Sequence, residues 1–412
     1  MFKIIKIDWS STMNQFDVIV CGGGVAGVCA AIAAAREGAS VLILERNGCL
    51  GGTWTAGLVT WLIDVSNKEG YIVNEMMERL QKMDRGHFGR GGNFLCEPEA
   101  MKLLLDIMCA EVRITVRLYT YVSEVMKDGS MLTAVQTVSK SGAEIFYGKY
   151  FIDATGDGDV CAMCRSQFHK GNVQGHMQPM TMFALIDGPD YSDMVDFDNF
   201  LEYNGGVTPK ERLKNEILRA GIKSSQQEPG MYHLFHDIYL LTVNQEYGRD
   251  GTNADDLTAA TISARVEINK IVDGLRSLGG IWSNVRLVST AQTIGVREGR
   301  RILGKYTVTI DDLNSNRHFE DSICSVSFGV DIHALTEDNE KGYDEESDDG
   351  VVRDYQIPMR AAMCDGTDNL FMAGRCISGD FYAHASYRVT GNSSVIGENV
   401  GKYAAKMAID KW

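Results

Sequence analysis

The apolar residues of this chain fall into short runs separated by glycine and polar turns, and the clearest of them lie near its start. Phe16 to Cys21 is the apolar, β-branched run that a buried parallel strand needs. Val25 to Glu37 is alanine-rich and helical in propensity, Gly38 ends it, and Val41 to Leu44 forms a second apolar strand. Met101 to Ala110 predicts a helix with one apolar face, with Pro98 and Glu99 suited to its first turn. From Val112 to Phe151 β-rich runs alternate with turns at Lys127-Asp128-Gly129 and Lys140-Ser141-Gly142, which predicts a three-stranded meander. Tyr150 to Ala154 then reads as a buried strand.

The pattern changes in the middle of the chain. Met180 to Ile186 is strand-like, Pro209 to Ala220 and Leu257 to Leu278 are helix-like, and Glu337 to Asp349 is an acidic stretch expected to be a solvated loop. The opening theme returns at the end, where Asn369 to Gly374 reads as a strand entering a glycine turn. Asn392 to Met407 predicts an amphipathic helix with Val395, Ile396, Val400, Tyr403, Ala404 and Met407 on its apolar side. At 412 residues the chain exceeds what one core usually serves. The order fits an α/β domain built from both ends, residues 15–164 and 365–412, interrupted by a second, α+β domain over 165–364.

The residues between the first strand and helix carry the strongest chemical signal. Gly22, Gly24 and Gly27 fill G-x-G-x-x-G between a strand and a helix, the Rossmann arrangement for a dinucleotide. The first glycine allows the tight turn, the second lets backbone approach a pyrophosphate, and the third lets helix and strand pack closely. The free amides and dipole of the helix face the phosphates. Glu45, at the end of the second strand, is placed for ribose hydroxyls, and its charge repels the 2′-phosphate of NADP.

Composition narrows the partners. A net charge of −15 argues against nucleic acid and against anionic membranes. No apolar run reaches the roughly eighteen residues of a membrane span, and Met1 to Asn14 lacks an uninterrupted apolar core, so a cytoplasmic protein is expected. Ten scattered cysteines suggest buried thiols and not a disulfide framework.

Four separated motifs stand together: the fingerprint with Glu45, Leu50-Gly51-Gly52-Thr53, the ATGDGD run from Ala154 to Asp159, and the long glycine-containing segment from Asn369 to Gly401. As a set the chain resembles the FAD-dependent oxidoreductase family, within the flavoproteins that include fumarate reductase and glutathione reductase. Ile294 to Asp312 and Asn244 to Leu257 match its pattern as well. The resemblance implies a Rossmann-like FAD-binding domain with a parallel sheet and inserted meander, a second domain for substrate, and FAD as cofactor. It assigns the pyrophosphate to Gly22, Gly24 and Gly27, with Val25 and Ala26 in the helix's first turn, and the adenosine ribose to Glu45 beside Arg46. Val122 would present backbone to adenine, and Ala154, Thr155 and Gly156 would close over the adenosine half. Gly51, Gly52 and Thr53 form a second turn against the cofactor. Gly374 would approach the ribityl chain, and the helix starting at Gly391, Asn392 and Ser393 would aim its amides at the flavin pyrimidine, where the reduced ring carries negative charge.

Two departures matter. Arg375 stands where many relatives carry an aspartate for the ribityl hydroxyls, which leaves that contact open. Gly51-Gly52-Thr53-Trp54 holds no histidine for covalent attachment, so noncovalent FAD is expected.

His384, Ser386 and Arg388 lie between the Gly374 turn and the flavin-facing helix, where side chains reach a substrate stacked on the ring. Arg388 would orient a carboxylate or stabilise developing negative charge, and His384 would move a proton. Against this, Arg388 pairing with an acidic neighbour and His384 packed in a core are the plain alternatives. Arg297, Arg300 and Arg301 fit either the substrate side or an exposed helix face. Cys161-x-x-Cys164 matches a redox disulfide, yet disulfide reductases carry a second nucleotide fold and one fingerprint stands here, so structural thiols are expected. His233-x-x-His236 lacks the context of a zinc site, no metal is expected, and His333 after Asp331 reads as a capped surface histidine. The expected partners are a small-molecule substrate, with an anionic group among the options, and an electron donor or acceptor that the residues do not specify. Competing readings are an NAD-binding enzyme like the thiazole-forming proteins and an RNA-modifying flavoprotein; the acidic charge counts against the second.

Overall fold

The computed structural model of the chain describes residues 14–409 apart from 69, 202–204, 340–347, 349–350 and 352. Most of the acidic stretch expected to form a loop between 337 and 349 therefore lies outside the described residues.

The first half builds β1 (Gln15–Cys21), α1 (Val25–Arg36), β2 (Val41–Leu44), β3 (Thr115–Arg117), β4 (Tyr121–Asp128), β5 (Met131–Ser139) and β6 (Gly142–Asp153). They form one sheet in the order β3-β2-β1-β6-β5-β4, and the late strand Leu370–Met372 adds beside β6. Pairing is parallel among β3, β2, β1, β6 and the late strand, and antiparallel from β6 to β4. The parallel strands are buried on both faces, as their near-continuous apolar sequence demands.

One expectation needs correction here. The third meander strand and the buried strand at Tyr150 to Ala154 are a single element: β6 pairs with β5 from Gly142 to Tyr147 and with β1 on to Asp153. Gly148 sits at the changeover, where a Cβ would press on Phe151 and Ile19 at 2.9 and 3.1 Å. Thr115–Arg117, inside the span read as meander, instead extends the parallel edge beside β2.

The closing helix Thr390–Ile409 lies across α1 with almost no space between backbones. A Cβ on Gly397 or Gly401 would fall 2.1 Å from the carbonyl oxygens of Ala26 and Ala30, so the fold requires glycine at both positions. This crossing packs the closing helix directly on the first one.

The middle of the chain forms a four-stranded antiparallel sheet in the order Gly230–Phe235, Ile238–Thr242, Ala184–Asp187, Arg286–Thr290, backed by helices Pro209–Arg219 and Ala254–Ser277. Thr208 and Glu211 make a capping box on the first helix, and Asn253 caps the second through Asp255 and Asp256 amides. These elements share a core of their own that includes Met182, Ile186, Leu213, Tyr239, Ile268 and Trp282. Ile302 to Cys364 packs into the first core, so by core membership the second unit ends earlier than 364. Among the described residues no helix is long and apolar enough to cross a membrane.

Candidate active site

The glycine turn after β1 is fixed from three sides. Gly22 has φ +102°, and a Cβ there would sit 2.4 Å from the Ala154 carbonyl oxygen; one on Gly27 would sit 1.9 Å from the Gly22 carbonyl oxygen. Both are glycines that the protein's own packing demands. Gly24 differs, because its φ is −72° and the nearest atom to a Cβ is Gly52 Cα at 4.0 Å. Among the described residues nothing requires glycine at that position, which leaves room for a ligand to approach the backbone.

The second glycine turn stands directly against the first. Gly51 N donates to Gly23 O at 2.8 Å, and Gly24 and Gly51 form a β-bridge. Glu45 is buried, its Oε2 accepting from Gly23 N and its Oε1 from Asn47 N, each at 2.7 Å. The carboxylate thus braces the glycine turn, and each oxygen keeps a further lone pair. Thr120 N donates to Glu45 O, which brings buried Val122 at the start of β4 toward the same end of the sheet. Val25 and Ala26 are buried in the first turn of α1, and Arg46 is exposed.

Asp153, at the end of β6, organises the ATGDGD turn. Its Oδ1 accepts from both Thr155 N and Thr155 Oγ1, at 3.2 and 2.7 Å, and its Oδ2 accepts from Cys161 N at 2.8 Å. Burial raises its pKa and these bonds oppose the rise. Thr155 Oγ1 in turn accepts from Asp159 N. Arg375, the departure noted above, pairs with Asp157 at 2.7 Å and lies so close that a Cβ on Gly156 would meet its Nη2 at 2.8 Å. Gly374 has φ +84°, which a glycine accepts readily.

The N-terminus of the closing helix is arranged differently from the expectation. Gly391 N is already engaged with Ile63 O at 3.0 Å and Ser393 N with Val389 O at 3.0 Å. Among the side chains there, Asn392 Nδ2 is buried without a hydrogen-bond partner among the described residues, and Thr390 Oγ1 shares that condition.

Arg388 follows the short helix Phe381–Tyr387, which Asp380 caps through Ala383 N. Its Nη2 donates to Asp331 O at 2.8 Å, Asp331 Oδ2 at 3.2 Å and Gln178 Oε1 at 3.1 Å. Arg297 faces the same group, donating to Pro179 O at 2.6 Å and Thr181 Oγ1 at 2.7 Å. Burial and the Arg388 charge push its pKa down to about 10. Burial alone would raise the Asp331 carboxyl, but His333, Arg388 and Arg297 hold it well below the usual range.

His333 is half-buried, with 26% of its side chain exposed, and lies beside Asp331. Burial, then Arg297, push its pKa down to about 4. Tyr247 OH donates to Gln245 Oε1 at 2.5 Å, which orients Gln245 Nε2 as donor to His333 Nδ1 at 3.2 Å. The proton of the neutral ring then sits on Nε2, 3.5 Å from Asp331 Oδ2.

The other arginines of this region do something else. Arg300 pairs with Asp159 at 2.8 Å, and buried Arg301 with Glu298, Gly379 O and Gly171 O. His384 is buried, with Nδ1 lacking a partner among the described residues; burial, then Arg301 and Arg388, hold its pKa well below the ordinary value, so the ring is neutral. Ser386 spends its hydroxyl on Phe328 O and Tyr355. Cys161 and Cys164 are buried free thiols, and the thiol that Cys161 hydrogen-bonds is Cys364, not Cys164. His233 stacks on Tyr191 at 4.0 Å and bonds His236 O.

The depressed histidines set an acid limit on stability. Between about pH 6.5 and 4 the unfolded chain protonates a histidine that folded His333 leaves neutral, and His384 adds to the effect. The stabilisation is complete above about 6.5 and is lost as pH falls toward 4. Melting temperature in carboxylate-free buffers should fall across that window, and His333→Gln should flatten the fall; an equal slope in the variant would remove His333 from the account.

Residues 17–411 match the model of a family described as FAD dependent oxidoreductase. The chain belongs to that family. FAD is accordingly its cofactor, and the free approach at Gly24, the two apposed glycine turns and the unpartnered Asn392 amide fit such a group. Solved structures similar to this oxidoreductase include a geranylgeranyl bacteriochlorophyll reductase-like protein from Thermoplasma acidophilum, at 12% identity over 96% of this chain and 78% of that one, TM-score 0.46. L-proline dehydrogenase from P. horikoshii is similar at 11% identity over 97% and 94%, TM-score 0.44. The flavin-dependent brominase Bmp2 is similar at 12% over 96% and 79%, TM-score 0.47. Among curated proteins no sequence match emerges.

Proposed function

We propose that this oxidoreductase moves a hydride between noncovalently held FAD and a small organic anion, with the chain from Tyr382 to Gly391 forming the reacting face. The observation that carries the reading is the convergence of Arg388, from the segment joining the Gly374 turn to the closing helix, with Arg297, on the loop that leaves the second core. Guanidiniums at that position would orient an anionic substrate and stabilise negative charge as it develops. Bound FAD supplies the hydride acceptor or donor. Gly22, Gly24 and Gly27 would hold its pyrophosphate, Glu45 its adenosine ribose, and Asn392 Nδ2 would donate to the flavin. His384, the residue proposed for proton transfer, is buried with Nδ1 open, and burial with Arg301 and Arg388 disfavours its protonated form. Cytoplasmic location and a diffusible electron partner complete the proposal.

Acid denaturation should release intact FAD and leave no flavin on the chain. Anaerobic mixing of the holoenzyme with a panel of small organic acids should bleach the flavin for the true substrate, and deuterium at its reacting carbon should slow the bleaching severalfold. Flavin retained by the denatured chain, or bleaching insensitive to deuterium, would overturn the noncovalent or the hydride part respectively.

A further inference from the structure

Arg375 stands next to the Gly374 turn with no assigned contact to the cofactor, and its surroundings supply one. Its Nη1 donates to Asp157 Oδ1 at 2.7 Å, in an ion pair whose side chains are 19% and 10% exposed. Nη2 and Nε make no hydrogen bond among the described residues, so that edge of the guanidinium is open. The fold leaves room for the pair. A Cβ on Gly299 would fall 2.0 Å from Asp157 Oδ1 and 3.0 Å from Arg375 Nη1, although no left-handed backbone demands glycine there. On the other side, a Cβ on Gly156 would meet Nη2 at 2.8 Å.

The pair is anchored on two neighbours of the first glycine turn. Gly374, the residue before Arg375, lies against the first turn of α1, where its Cβ position is 3.0 Å from Ala26 Cβ. Gly156 and Asp157 belong to the turn that Ala154 opens, and the Ala154 carbonyl is the one that closes over Gly22. Both contacts border the α1 N-terminus and the open approach at Gly24, where a dinucleotide sets its pyrophosphate. A planar guanidinium held on one side by a carboxylate and open on the other matches two phosphate oxygens.

We infer that Arg375 is a cofactor-binding residue whose Nη2 and Nε take the FAD pyrophosphate, with Asp157 as the residue that positions it. The inference rests on the proposed placement of FAD and deepens it, because it adds a charged side chain to the backbone contacts of the glycine turns.

Titration of the full-length apoprotein with FAD, ADP and riboflavin separates the parts of the cofactor. Arg375→Met should weaken FAD and ADP by the same factor, about ten- to a hundredfold as for a lost hydrogen bond to a charged group, and leave riboflavin unchanged. Arg375→Lys should recover part of that loss. In the holoenzyme, the phosphorus NMR resonances of bound FAD should move in Arg375→Lys and, through lost orientation, in Asp157→Asn; an ion pair that is only structural would leave them in place. Loss of FAD affinity with ADP unchanged would put Arg375 at the ribityl chain, equal loss for all three ligands would make the pair structural, and parental affinities would remove Arg375 from the site. Each of these overturns the inference. Should Arg375→Met not fold, the phosphorus spectra of Arg375→Lys decide alone. A parent apoprotein that binds neither FAD nor ADP would sink the cofactor placement itself, whereas an FAD-binding parent matched by Arg375→Met would leave that placement standing and sink only the role of Arg375.

Discussion

Gly24→Val should yield a folded protein that no longer retains FAD, with affinity lowered at least about a hundredfold. The expectation comes from comparing three glycines of one turn. Gly22 and Gly27 are closed off by backbone at 2.4 and 1.9 Å, so a side chain at either strains the fold itself. Gly24 has an ordinary φ and open space around its Cβ position, so the fold tolerates substitution there while the pyrophosphate loses its approach to the amides. Gly24→Ala should show the same effect in milder form, and Gly27→Val should fail to fold. The FAD to protein ratio after gel filtration, read with a melting curve, separates the cases. Full occupancy in Gly24→Val would mean that the cofactor does not pass this turn.

The nucleotide-binding half was legible because its determinants are local. Strand, glycine turn, helix, second strand and Glu45 follow one another within about thirty residues, and each was placed within a residue or two of its observed bounds. What failed depends on contacts distant in sequence. Nothing near Gly142 announces that a meander strand runs on into the centre of a parallel sheet, since that depends on β1 lying beside it. The amides of Gly391 and Ser393 looked free because Ile63, which occupies one of them, lies more than three hundred residues away.

The same distinction divides the substrate side. Arg388 and Arg297 were visible as residue types, yet Arg300 and Arg301, in the same cluster, turn to Asp159 and Glu298, and sequence gave no basis for telling them apart. Gln178 carried no signal at all, and His333 beside Asp331 read only as a capped surface residue. Arg388 reaches Gln178 across 210 positions of chain. The alternative that Arg388 pairs with an acidic neighbour is also present, as Asp331.

Arg388→Ala should therefore keep the yellow FAD spectrum and lose rate. The side chain donates to Asp331 and Gln178, neither of which is among the residues assigned to the pyrophosphate or the ribose. Removing it takes away a positive charge and its planar donors, so a substrate anion loses both its orientation and the stabilisation of charge developing at the reacting carbon. That loss corresponds to a few kcal/mol, on the order of a hundredfold in flavin reduction. Arg388→Lys restores the charge without the planar fork and should recover part of the rate, because a point charge attracts the anion but does not align it. Stopped-flow reduction of the three proteins at matched FAD occupancy reads the effect directly. Parental rates in Arg388→Ala, with folding and FAD intact, would make Arg388 a structural partner of Asp331 and pass the substrate-orienting role to Arg297.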